Sequence, residues 1–97
     1  MDEAIKKDQW VWAIVQDPEG NEHFLGQTDK QDNVPFILTF LKKDDALDCL
    51  NILTLEKGHK YEVQAIMYEE LKKEAVSNGF KIYILNASGQ ILDRISP

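Results

Sequence analysis

Residues 34–57, VPFILTFLKKDDALDCLNILTLEK, join two kinds of hydrophobic periodicity across one charged turn. The first part, VPFILTFL, is a short apolar run with β-branched and aromatic residues, the pattern of a buried strand. The charged KKDD interrupts it. From about Asp44 to Lys57, Ala46, Leu47, Leu50, Leu53 and Thr54 fall within about 120° of one another at 100° per residue, with Cys49 at their flank. A strand passing straight into an amphipathic helix places the chain among domains that mix sheet and helix. Asp44 or Asp45 is expected to cap the helix and to suit the positive end of its dipole, and Gly58 to end it in the left-handed conformation.

Working outward, WVWAIVQ (10–16) is dense in β-branched and aromatic residues, and DPEGN (17–21) supplies the Pro and Gly of a turn. HFLGQT (23–28) is the returning strand, where Gly26 marks a bulge or a close backbone approach. DKQDN (29–33) reads as a loop, and Pro35 removes a backbone donor at the start of the next strand. Downstream, YEVQAIM (61–67) alternates as a strand. The segment 68–78 stacks Tyr68, Leu71 and Ala75 at helical spacing, with Val76 beside them and Gly79 at its end. Glu69 and Lys73 are spaced as a surface ion pair on that helix. FKIYILN (80–86) and QILDRI (90–95) form a final hairpin around a Ser-Gly turn. The reading is a polar arm over 1–9 and one α+β domain over 10–97. Its architecture is a single mixed sheet of five or six strands with two helices on one face, in the order β-β-β-α-β-α-β-β.

Composition bounds the function. The chain has 97 residues, 17 acidic against 11 basic, and a formal charge of -6. Such a surface repels phosphates, which argues against nucleic acid and anionic lipid as partners. No apolar run approaches the roughly 20 residues of a membrane helix. The opening MDEAIKKDQ lacks the apolar stretch of a signal peptide, so a cytoplasmic location is expected. A lone cysteine, Cys49, excludes an internal disulfide and fits a reducing compartment.

No chemistry-bearing pattern stands out. Cys49, His23 and His59 lack the clustered spacing of a zinc site, and Cys49 reads as a small core hydrophobe with an inert thiol. Asp44, Asp45 and Asp48, with Asp29 and Asp32 upstream, do not follow a calcium-loop pattern and are explained by the helix terminus. Glu69, Glu70 and Glu74 read as a solvated helix face, and the scattered glycines build no phosphate loop. Neither catalytic residues, nor a metal, nor a cofactor is expected.

The segments FLKKDDALDCL and VQAIMYEELKKEAVSNGF resemble a family of small uncharacterised α+β domains typical of cyanobacteria and plastids. More distantly, the strand-turn-helix resembles the N-terminal domain of SseB proteins. Neither resemblance implies a catalytic residue.

Two helices on one face would leave the other sheet face bare, although the strands are apolar on both sides. A contiguous bare face would exceed the apolar patch that a soluble monomer exposes. The expected activity is therefore that of a non-enzymatic protein-interaction or regulatory module working through an apolar sheet face or a strand edge. Its partner is a second copy of the chain or a heterologous protein. Candidate interface residues are Trp10, Trp12, Ile37, Tyr83 and Leu85 on the sheet, with Ile52 and Leu55, on the flank of the first helix opposite its apolar arc, as a secondary site. The alternative is a small-ligand sensor of the ACT-like arrangement, which also carries two helices on one sheet face.

Overall fold

The computed structural model of the protein describes residues 8–97. Most of the arm expected over 1–9 lies outside the described residues. At its end the carbonyl of Gln9 accepts a hydrogen bond from the Tyr68 amide at 2.8 Å. The elements follow in the order β1 (Trp10–Gln16), β2 (His23–Phe24), β3 (Gly26–Asp29), β4 (Val34–Phe40), α1 (Lys43–Ile52), β5 (Tyr61–Met67), α2 (Tyr68–Asn78), β6 (Lys81–Leu85) and β7 (Ile91–Ile95). The fold is α+β, with one mixed sheet of seven strands.

The seventh strand arises because 23–28 does not run as one. Its first half pairs with β1, Val15 opposite Phe24, and its second half pairs with β4, Gly26 opposite Ile37. Leu25 is the point of transfer: its amide donates to the Ile14 carbonyl and its carbonyl accepts from the Leu38 amide. Beyond this wedge β1 and β4 pair directly, Trp12 opposite Phe40. Gly26 is indeed a close approach, since a Cβ there would lie 2.9 Å from the Phe36 carbonyl oxygen.

Reading across the sheet, β5 pairs with β1, β1 with β4, β4 with β6, and β6 with β7. Strands β4 and β6 are parallel, and β5 runs the same way because it and β4 are both antiparallel to β1. The connection β4-α1-β5 therefore crosses the sheet in one direction and β5-α2-β6 crosses back. Right-handed crossovers that reverse direction put their helices on opposite faces.

Packing shows this directly. Ala46 and Cys49 of α1 are buried with Leu38, Phe40, Tyr83 and Leu85. Tyr68, Leu71 and Ala75 of α2 are buried with Val11, Ile37, Ile82 and Ile84. Leu38 and Ile37 are adjacent in β4, as are Tyr83 and Ile84 in β6, and successive strand residues point to opposite sides. The expected placement of both helices on one face is thus corrected: each face has its own helix, and the ACT-like arrangement does not apply.

Helix α1 also departs from its sequence pattern. It ends five residues before Lys57, with Leu53 extended and its amide bonded to the Cys49 carbonyl. Outside the helix, Leu53 packs, partly buried, against the core that holds Leu38, Phe40, Cys49 and Tyr83. Lys42, not an aspartate, occupies the N-cap, and Asp44 and Asp45 sit in the first turn. Gly58 has φ +90° but serves the turn into β5. The buried stripe is Ala46 and Cys49 with Leu50 half-buried, while Leu47 is 40% exposed. In α2 the boundaries and the left-handed Gly79 cap follow the sequence reading, but Val76 is exposed, and Lys73 lies near Glu70 at 3.9 Å rather than Glu69.

Candidate functional site

The residues expected to form an interface separate into two groups. Ile37, Tyr83 and Leu85 are buried, because the chain's own helices close the faces they point to. Trp10 and Ile52 are exposed, at 58% and 62%. Trp12 is half-buried under the Lys43 ammonium, 5.6 Å from its ring centroid, and Leu55 is half-buried in the connection to β5. With the sheet faces covered, the sheet edges and the gaps between elements are the candidate surfaces among the described residues.

The edges differ. β5 pairs with β1 in unbroken register over all seven of its residues, Trp10 opposite Met67 through Gln16 opposite Tyr61. Among the described residues, nothing pairs with its outer side. It contains no proline, and Glu62 is its single charged residue. β7, at the other edge, has its register shifted between Ile84 and Leu85 and carries Asp93 and Arg94.

A polar cluster ties β7 to the β3-β4 hairpin. The Tyr83 hydroxyl donates to Asp29 Oδ2 at 2.8 Å, the Gln31 amide donates to Asp29 Oδ1 at 2.9 Å, and Arg94 Nε lies 3.6 Å from Oδ2. The Tyr83 ring stacks on Phe36 at 4.1 Å, with the Arg94 guanidinium over it. The bond from Tyr83, then that from Gln31, hold the Asp29 carboxyl below its ordinary pKa. Burial, followed by the bond to Asp29, pushes the Tyr83 hydroxyl up. Asp29 at the end of β3 is thus bonded to Tyr83 of β6 and lies near Arg94 of β7, so the cluster fastens these strands together. Sequence reasoning missed it: Asp29 reads as a loop residue, and Tyr83, its side-chain hydrogen-bond partner, is 54 positions away.

Cys49 is fully buried, beside the position a Gly89 Cβ would take, and burial raises its thiol pKa. His59 instead lies at the surface, where Nδ1 is 2.8 Å from Asp17 Oδ2 and holds that carboxyl low.

A cleft of about 570 Å³ opens on the α2 face, between that helix and the β1-β2 hairpin. Val15, Ile37, Ile66 and Phe80 are its apolar lining. Glu70, Glu74 and Asn78, one helical turn apart, line the α2 wall, and Glu22, His23 and Phe24 line the hairpin wall. The wedge of β2 and β3 between β1 and β4 sets that wall apart from the helix. No helix among the described residues is long and apolar enough to cross a membrane.

Comparison with known proteins gives a family without an activity. Neither the curated proteins nor the solved structures contain a match to this chain. The family model described as "Domain of unknown function (DUF3110)" matches residues 11–93, from the second residue of β1 to the middle of β7. That span takes in both helices, the wedge and both edges, and the chain belongs to the DUF3110 family.

Proposed function

We propose that the protein is a non-enzymatic interaction module whose working element is the outer edge of β5, and that it pairs there with a second copy of itself. The observation that carries this reading is the unbroken seven-residue register of β5 on β1, with no proline and one charge on an edge that has no partner among the described residues. Regular edges of this kind offer a row of backbone donors and acceptors to an added strand. Two-fold antiparallel pairing centred on Gln64 engages all seven residues: Tyr61 faces Met67, Glu62 faces Ile66, and Val63 faces Ala65. Glu62 then never opposes another Glu62, which removes the like-charge penalty. Trp10, exposed beside Met67, flanks the joint.

Sedimentation over a wide concentration range tests this. A monomer–dimer equilibrium is expected. Ala65→Lys, at an exposed edge position, shifts it to monomer with an unchanged circular dichroism spectrum. A strictly monomeric wild type, or a dimer indifferent to Ala65→Lys, overturns the reading.

The cleft beside α2 favours a second reading, a small-ligand binding domain, since its volume falls in the range of such sites and apolar lining meets a few polar groups there.

A further inference from the structure

The cleft's chemistry goes beyond its size, and the following rests on the small-ligand reading. Its lining holds three carboxylates, Glu70 and Glu74 on one wall and Glu22 on the other. Neither lysine nor arginine contributes to the lining. Among the described residues, Glu22 and Glu74 have no ion-pair partner within 4.0 Å, and Glu70 has only the long contact to Lys73. Between the walls the lining is hydrocarbon: Val15 and Ile37 at its buried base, and Phe24, Ile66 and Phe80 partly uncovered above.

We infer that the cleft takes a small organic cation, a protonated amine carried on a hydrocarbon body. An anionic ligand would meet carboxylates on both walls, with His23 the one basic side chain in the lining. A fully polar cation would gain nothing from the apolar lining, and a neutral hydrocarbon would leave the carboxylates unpaired. An ammonium on an aromatic or alkyl body satisfies both parts, its body on Phe24, Ile66 and Phe80 and its charge between the glutamates. The net charge of -6 adds a long-range attraction of the same sign.

Titration of the full chain with phenethylammonium, followed by amide and side-chain NMR shifts at low salt, tests this, with phenylacetate and 2-phenylethanol as anionic and neutral probes of similar body. The amine is expected to bind saturably, with shifts confined to α2, β2 and the cleft lining, and to weaken as salt is added. The double variant Glu70→Gln, Glu74→Gln, altered at exposed positions, is expected to bind it about fivefold to tenfold less well, the loss of two surface ion pairs, while its fold is unchanged. Equal or tighter cleft binding of phenylacetate or the alcohol overturns the cationic assignment but leaves a ligand cleft. Amine binding that the double variant does not weaken overturns it too. Absence of cleft shifts with all three probes overturns the small-ligand reading itself.

Discussion

The two edges of the sheet solve the same problem differently. β7 is short, bulged against β6 and charged, and four of its five residues are exposed. These are devices by which an edge resists adding another strand. β5 has none of them beyond Glu62, and its register on β1 is regular from end to end. The protection of one edge beside the regularity of the other is what gives β5, rather than the sheet faces, its place as the proposed working surface. The faces are occupied, since each buries a helix of its own.

The largest expected effect tests whether α2 closes the face on the β5 side as completely as described. Leu71 is fully buried there, and Leu71→Ala should cost about 2–5 kcal/mol in a denaturant melt. Leu92→Ala on the opposite edge, at a side chain 60% exposed, should change stability by about 0.5 kcal/mol or less. Similar losses at both positions would mean that the two regions are not built differently.

Next is the contrast in association. Ala65→Lys on β5 should abolish self-pairing, whereas Leu92→Lys on β7 should leave the sedimentation profile as it is. If Leu92→Lys were the change that dissociates the dimer, the roles of the edges would be reversed.

A third, smaller effect concerns how β7 is fastened. Asp29 has a folded pKa below its ordinary 3.8, chiefly through the Tyr83 hydroxyl. Its contribution is therefore fully present above that value and is lost as pH falls through the folded pKa. Asp17 acts in the same direction through His59. Tyr83, with its pKa raised, contributes fully below its ordinary value of 10.0 and loses that contribution as pH rises through the folded pKa. Melts across pH 2 to 6 should show Asp29→Asn with a shallower acid dependence than wild type. An identical slope would remove Asp29 from the account of the β7 edge.

The smallest effect separates core from edge chemistry. The buried Cys49 thiol should react slowly with an alkylating reagent in the native protein and rapidly once unfolded. Fast native labelling would show that α1 does not seal its face.

Several elements were legible from periodicity alone. The bounds of β1, β5 and α2 match the sequence reading to the residue, because each has a strong local pattern, and at β5 the period changes from strand to helix at Tyr68. Helix α1 ends earlier than its periodicity predicts, because Leu53 continues the helical spacing while its extended backbone and its place against the core depend on tertiary packing. The break at Leu25 was illegible for a similar reason: a strand that changes partners keeps its extended backbone, and nothing local records which neighbour it bonds. Of the candidate interface residues, Trp10 and Ile52 are exposed, whereas Ile37, Tyr83 and Leu85 belong to faces that the fold covers.

By itself the sequence determined the family of elements, the apolar character of both strand faces and the acidic balance, since these depend on residue type and on spacing of a few positions. Which face each helix covers was decided by tertiary structure. That choice depends on strand order, and two crossovers running in opposite directions around β1 cannot be read from either crossover alone. The same holds for the cleft and for the Asp29–Tyr83 bond. Glu22 meets the α2 glutamates across one groove, and Asp29 meets Tyr83 across the sheet, only because β2 and β3 are wedged between β1 and β4.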